Sequence, residues 1–212
     1  MVAAKSEIDM SVHARILAAA ELRLTTVGYS NMTMDELADT LGMSKRTLYE
    51  YFGSKDNLTH ALIEEKNKEI GSAQEAILAS GDNVIEKIFR VGDVVQNCLG
   101  ALLRSNILND LKRNSPQAWQ KINELRETKI RRLWTEILSE GIRKGFFRKE
   151  VNLDIFILAL VATTEKVMDP ETSLTHKYSI EQCRLFLLDI LLNGIVTEKG
   201  RKVISEHKLQ LS

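Results

Sequence analysis

Apolar residues recur at three- and four-residue spacing along almost the whole chain, which is the period of an amphipathic α-helix. The first stripe predicts a helix over residues 11–27 that Gly28 ends, and its members are Val12, Ile16, Leu17, Ala20 and Leu24. No segment alternates apolar and polar residues as a half-buried strand does, and the chain has only two prolines. The pattern therefore predicts an all-α protein.

Three short helices come first, and cap residues mark their ends. Thr33 opens the sequence Thr-Met-Asp-Glu, a capping box that predicts a second helix ending at Gly42. Ser44 predicts the start of a short third helix that runs to about Tyr51. A glycine then breaks the chain, and Ser54 caps a long fourth helix.

Longer helices fill the remainder of the chain. We predict them over residues 83–104, 116–145, 152–167 and 180–198, and the tail 201–212 adds a turn or frays. Short helices thus give way to long ones at about residues 52–60. This change predicts a small N-terminal domain over residues 1–58 and a larger helical bundle over residues 59–212.

Residues 33–58 read TMDELADTLGMSKRTLYEYFGSKDNL and have the form of a helix-turn-helix. Leu37, Leu41, Leu48 and Tyr51 can form the small core between the two helices. The second helix then exposes its N-terminal residues, which reach base edges when such a helix enters the major groove. Short helices around a glycine turn also occur in bundles that never bind DNA, so the pattern alone leaves both readings open.

This stretch resembles the DNA-binding signature of TetR-type repressors. The resemblance lies in Leu-Ala-Asp, Leu-Gly-Met-Ser, Thr-Leu-Tyr, Tyr-Phe and Ser-Lys-Asp-Asn-Leu, and a weaker one lies in Gly-Ile-Arg-Lys-Gly-Phe-Phe-Arg over residues 141–148. It implies an N-terminal three-helix DNA-binding domain and a C-terminal domain for dimerisation and ligand binding. Many members of the family have glycine where this chain has Arg46, so the preferred base sequence is expected to differ.

We expect the DNA-binding residues to be Thr33, Ser44, Lys45, Arg46, Thr47, Tyr49, Tyr51 and Lys55. Lys45 and Lys55 suit phosphates, and Arg46 and Thr47 suit base edges. Tyr49 suits a phosphate or a thymine methyl, whereas Tyr51 can pack in the core or reach a phosphate. Residues 1–60 carry six Lys or Arg against eight Asp or Glu. We therefore expect few phosphate contacts and a correspondingly larger share of base contacts.

Two apolar helices in the C-terminal part predict a homodimer with a four-helix interface. The expected interface residues are Leu153, Ile157, Leu160, Leu187, Leu188, Leu191 and Ile195. A cavity for a small ligand is predicted among Phe89, Leu99, Leu102, Trp119, Trp134, Phe156 and Met168, although these residues can equally fill a plain core. No buried charge cluster is evident from the sequence, which favours an apolar or aromatic ligand.

Other function classes find little support. The four histidines lack metal-ligand spacing with cysteine or carboxylates, and no phosphate loop or nucleophile elbow occurs, so we expect neither an enzyme nor a metal or cofactor. Cys98 and Cys183 are interpreted as buried free thiols, with a disulfide or redox switch as the alternative. No signal peptide or membrane span is evident, which predicts a soluble cytoplasmic protein.

The expected function is that of a transcriptional repressor which a small molecule releases from a palindromic double-stranded DNA operator. One alternative is a helix-turn-helix regulator controlled by a protein partner or by its abundance. A helical interaction protein that does not bind DNA is the other.

Overall fold

The computed structural model describes residues 2–103, 107–168 and 177–211. The first four helices are α1 (Val2–Asn31), α2 (Met34–Leu41), α3 (Lys45–Phe52) and α4 (Lys55–Ala79). Gly28 interrupts α1 with a non-helical conformation, at the position where the sequence predicts the end of the first helix. Thr33 and Ser44 cap α2 and α3 as predicted, but Glu36 pairs with Arg23 and does not complete the predicted capping box.

The remaining helices are α5 (Val84–Leu103), α6 (Ile107–Asn114), α7 (Pro116–Leu125), α8 (Arg131–Arg143), α9 (Leu153–Met168), α10 (Ile180–Asn193) and α11 (Glu198–Leu211). A π-helical turn, Arg126–Ile130, joins α7 to α8. Asn83 caps α5 by accepting from the amides of Ile85 and Glu86. Asn152 caps α9 in the same way, accepting from the amide of Ile155. In the described part of the chain, the one β-bridge pairs Phe147 with Val196.

The chain forms two compact units. The first unit comprises Met1–Glu69 and Cys98–Leu125, and the second comprises Ile70–Asn97 and Arg126–Ser212. Each unit has its own cluster of buried apolar side chains. The first unit contains the predicted DNA-binding domain and adds α6 and α7 to it, because Ile107, Leu111 and Ala118 are buried in the same cluster as Leu37 and Leu48. The predicted boundary at residue 58 stays a prediction.

Three features differ from the predicted helices. The short helix α6 was not predicted, because its eight residues bury only Ile107 and Leu111 and so show no full period. A π-helical turn divides the predicted helix over residues 116–145. The predicted last helix ends at Asn193, and the tail forms α11 instead of fraying, since Ile204 is buried in the core of the second unit.

Candidate nucleic-acid interface

The helix-turn-helix consists of α2, a tight turn and α3. The Thr33 hydroxyl accepts from the amide of Glu36 at 3.3 Å, which satisfies one free N–H at the start of α2. Gly42 ends α2 at φ 63°, a left-handed conformation that favours glycine, and the chain can therefore turn at once into α3. The Ser44 hydroxyl accepts from the amide of Thr47 at 3.0 Å and fixes where α3 begins.

A small apolar core holds the two helices together. Leu37, Ala38 and Leu48 have no exposed surface, and Phe52 is also buried. Tyr51 is half-buried and packs against this core, with its ring 6.4 Å from that of Phe52. This placement favours the packing role for Tyr51 over the phosphate contact that the sequence left open.

The outer face of α3 carries two cations that are already paired within the chain. Arg46 donates from Nε to Glu50 at 2.8 Å, although its side chain is 89% exposed. Lys45 donates to Asp35 at 2.6 Å, and this hydrogen bond, followed by the charge of Asp35, raises the pKa of Lys45. Exposed pairs of this kind contribute little to stability because water screens them, so a phosphate or a guanine can displace either carboxylate.

The remaining α3 candidates are Thr47 and Tyr49. The Thr47 hydroxyl is hydrogen-bonded to Ser44 Oγ at 2.7 Å, and the Tyr49 ring is exposed. The structure thus brings Ser44, Lys45, Arg46, Thr47 and Tyr49 together at the start of one short helix. Backbone amides at a helix N-terminus attract phosphate, and side chains in the first turn can reach base edges.

Lys55 makes contacts within the chain, and its contact with a phosphate stays a prediction. Its ammonium group donates to the carbonyl oxygen of Tyr29 at 3.1 Å and lies 4.3 Å from the centre of the Tyr29 ring. The residue is half-buried in this position. Lys55 therefore fixes the end of α1 against the start of α4, a tertiary contact that the sequence does not reveal.

A polar network that the sequence analysis missed surrounds the end of α1. The Tyr29 hydroxyl donates to Asp56 at 2.6 Å, and the Ser115 hydroxyl donates to the same carboxylate oxygen at 2.8 Å. These two hydrogen bonds lower the pKa of Asp56, whereas burial and Asp56 raise the pKa of Tyr29 to about 12. Asp110 accepts from the amide of Ser30 at 2.9 Å. Helices α6 and α7 thus hold the segment that leads into α2.

The predicted ligand-binding residues divide between the two units. Trp134 and Phe156 are buried in the core of the second unit, and Phe89 packs against them there. Trp119 belongs to the first unit, where Lys112 lies 5.9 Å from its ring. The side chains of Leu99, Leu102 and Met168 lie outside the described part of the structure.

The second unit also buries charged side chains, contrary to the expectation from sequence. Lys87 is buried and donates to Glu140 at 3.0 Å and to the carbonyl of Leu78 at 3.1 Å. Arg184 is buried as well and pairs with Glu181. Long cationic side chains on an apolar helix look solvated in a sequence, and only the packing shows that these two point inward.

Several predicted interface residues lie in the core of their own chain. Ile157, Leu160, Leu188 and Ile195 are all buried in the second unit, and Leu153, Leu187 and Leu191 are half-buried. A fully buried side chain offers no surface to a partner. The exposed large apolar residues of α9 and α10 are different ones: Ile155, Leu158, Leu185, Phe186 and Ile190. Because both helices are apolar on two faces, the sequence could not show which face turns inward.

Comparison with known proteins identifies this arrangement. A sequence model of bacterial regulatory proteins of the tetR family matches residues 16–62, from the middle of α1 to the start of α4. The HTH-type transcriptional regulator YvaF of Bacillus subtilis is 30% identical over 188 residues, which cover 87% of this chain and 96% of YvaF. The chain belongs to the TetR family. It is therefore a DNA-binding transcriptional regulator, and α2 and α3 are its helix-turn-helix.

More distant TetR proteins agree with this assignment. The repressor KstR2 of Mycolicibacterium smegmatis is 23% identical over 177 residues, which cover 82% of this chain and 86% of KstR2. A transcriptional regulator from Saccharomonospora viridis, solved in complex with choline, superposes with a TM-score of 0.72 at 20% identity and covers 89% of this chain and all of its own. FadR from Bacillus halodurans, a fatty acid degradation regulator, gives a TM-score of 0.68 at 22% identity over 85% of this chain and 98% of FadR. These structures share the TetR fold. No helix in the described ranges is long and apolar enough to cross a membrane.

Proposed function

We propose that this TetR regulator is a repressor that binds a palindromic operator as a homodimer and is released by a small molecule. The exposed surface of α3 is the observation that carries the proposal, since it presents Arg46 in the first turn and Tyr49 in the second turn outward. Arg46 reads a base edge, Ser44 and Thr33 direct amides at phosphates, and Lys45 exchanges Asp35 for the DNA backbone. The protein acts by binding, in the cytoplasm where its operator lies.

The dimer is proposed from the exposed apolar face of α9 and α10. Leu158 and Phe186 are 62% and 66% exposed, and exposed apolar patches of this kind mark interaction surfaces. A second copy of the same surface would cover them in a symmetric four-helix contact. Two identical helix-turn-helix segments then face one side of the duplex, which is why the operator should be palindromic.

Control by a small molecule is proposed from the second unit and from the relatives. KstR2 is named a repressor, and the Saccharomonospora regulator is described in complex with choline. Helices α4 and α5 each contribute residues to both units, so they are elements through which a ligand could alter the spacing of the two α3 helices. The ligand weakens DNA binding by its differential affinity for the two spacings.

Selection of bound sequences from random DNA tests the proposal. The expected result is one palindromic site that is present upstream of the gene or its neighbours and is bound by a dimer. The double variant Arg46→Ala/Tyr49→Ala should lose this site, whereas Arg132→Ala, which removes an exposed arginine of the second unit, should retain it. A regulator controlled by abundance or by a protein partner would bind the same site without responding to any small molecule.

A further inference from the structure

Arg184 is the least expected side chain in the second unit. It lies in the first turns of α10 and is only 8% exposed. The same face of α10 continues four and eight residues later with Leu188 and Leu192, which are both buried. Arg184 thus begins the inward-facing stripe of this helix, and its charge sits at the edge of an apolar core.

Its guanidinium group is only partly satisfied. Nε and Nη2 donate to the two carboxylate oxygens of Glu181 at 2.9 and 2.5 Å. Nη1 is buried and has no hydrogen-bond partner among the residues that the structure describes. Buried donors of this kind are nearly always paired, and an unpaired one on a cation is particularly unfavourable.

Helix α5 has a glycine where this guanidinium group lies. A Cβ atom at Gly92 would fall 1.7 Å from Nη1 and 2.4 Å from the central carbon of the guanidinium group. Any other residue at position 92 would therefore displace Arg184. Glycine is a poor helix former, and here it makes the space that the guanidinium group occupies beside the buried side chains of Ile88 and Val91.

Positive charge remains at Nη1 in the ion pair between Arg184 and Glu181. Glu181 is 41% exposed, so water screens much of its charge, whereas Nη1 lies on the buried side of the guanidinium group. The two N–H bonds of Nη1 form their strongest hydrogen bonds with an anionic oxygen. The adjoining side chains are apolar and suit a hydrocarbon body.

We propose that Nη1 of Arg184 recognises the carboxylate of a small organic acid whose apolar body lies against α5 and α10. This inference rests on the proposed function in that the acid is the molecule that releases the operator. It replaces the neutral apolar ligand expected from the sequence with an acid, because the structure buries a cation where none was expected.

The test measures binding of carboxylates to the purified full-length protein in the absence of DNA. The probes are octanoate, decanoate, phenylacetate and 4-phenylbutyrate, each compared with its methyl ester by thermal unfolding and calorimetry. At least one acid should raise the melting temperature by binding the folded state, and its ester should bind at least about tenfold more weakly, as expected for loss of a charge-assisted hydrogen bond.

Variants assign the effect to Arg184. Arg184→Met should bind the acid at least about tenfold more weakly, and Glu181→Gln, at a partly exposed position, should bind it more tightly because a competing carboxylate is gone. Arg132→Met removes an exposed, paired arginine of the same unit and should bind like the parent. Circular dichroism shows whether each variant is folded. If Arg184→Met does not fold, the affinity of Glu181→Gln for the acid decides whether the acid binds at Arg184.

Three outcomes would overturn the proposal: no acid binds the folded parent, acid and ester bind equally, or Arg184→Met and Glu181→Gln leave acid binding unchanged. Operator binding, measured separately, distinguishes this site from the function on which it rests. Acid binding through Arg184 without release of DNA would leave the site standing and remove the proposed regulation. Operator binding without any acid binding would leave the DNA-binding function standing and remove the proposed acid site.

Discussion

The two units of the chain differ in how they arrange the groups that could meet a partner molecule. In the first unit, the polar groups around the end of α1 are engaged within the chain: Asp56 receives two hydroxyl groups, Asp110 receives the Ser30 amide, and Lys55 donates to a carbonyl. The second unit leaves large apolar side chains of α9 and α10 exposed. Buried polar atoms without a partner among the described residues occur in both units, at Arg23, His60 and Asn67 in the first and at Arg184 in the second.

The first unit offers DNA a surface that is already ordered, whereas the second unit has groups that a bound molecule would cover or pair. The helix-turn-helix is held in place before DNA arrives, so its binding energy is not spent on ordering the protein. The second unit has features that a second copy and a ligand can complete. The regulation proposed above would therefore require no rearrangement within the helix-turn-helix itself.

The largest expected effect is on the dimer. Leu158→Glu should make the protein monomeric, because an unpaired carboxylate buried in an apolar interface costs several kcal/mol. Leu22→Glu is the matched control, since Leu22 on α1 and Leu158 on α9 are both 62% exposed. Light scattering measures the oligomeric state of both variants. If both remain dimers, or both dissociate, the exposed face of α9 is not the specific interface.

The next effect distinguishes the inward face of α10 from its outward face. Leu188 is buried and Ile190 is exposed, two positions apart on the same helix. In the Leu158→Glu background, Leu188→Ala should lower the free energy of unfolding by about 2–5 kcal/mol, and Ile190→Ala should leave it nearly unchanged. Chemical denaturation measures both values. Equal losses would mean that α10 does not have the orientation described.

A smaller effect concerns the network at the end of α1. Tyr29→Phe should lower the free energy of unfolding by about 1–3 kcal/mol, because Asp56 loses a hydrogen bond to its charged form. The pKa of Asp56 is lowered in the folded state, so its contribution is present above its ordinary pKa of 3.8 and is lost as the pH falls further.

Tyr29 acts in the opposite direction. Its pKa is raised from 10.0 to about 12, so its contribution is complete below pH 10 and is lost as the pH rises toward 12. Stability measured across pH should therefore fall at both ends in the parent protein. Tyr29→Phe should reduce both the alkaline and the acidic fall, and the raised pKa values of Lys45 and Lys66 leave part of the alkaline fall in place. An unchanged alkaline profile in this variant would show that Tyr29 does not titrate in this way.

The smallest expected effect lies on the DNA-binding face. Glu50→Gln should strengthen operator binding by about 0.3–1 kcal/mol, because Arg46 no longer has to leave a carboxylate and one negative charge is removed near the phosphates. Glu65→Gln removes a comparable exposed pair with Lys68 on α4 and is the control. Tighter binding by both variants would indicate a general charge effect.

The sequence predicted the first unit better than the second, for a physical reason. Thr33, Gly42 and Ser44 act through local contacts within four residues, so their roles are legible without tertiary structure. Arg46 pairs with Glu50 on its own helix, but the partners of Lys45 and Lys55 are set by folding. The sequence did not reveal that Lys55 donates to the Tyr29 carbonyl, because this acceptor lies 26 residues away in the chain.

In the second unit, the existence of α9 and α10 was predictable but their orientation was not. A helix that is apolar on two faces carries no periodic signal to separate a core face from an interface. Arg184 follows Glu181 by three residues, a spacing typical of a solvated surface pair. Only its burial beside Gly92 shows that this pair belongs to the interior.

Operator binding by Arg46→Ala tests the central claim most directly. The measurement compares the parent and the variant on the selected operator and on every single-base variant of it. The account predicts that Arg46→Ala loses about 1–3 kcal/mol per half-site and no longer distinguishes the base at one symmetric position, with the other preferences retained. An equal loss on every sequence would contradict base readout by α3 and would reduce Arg46 to a phosphate contact.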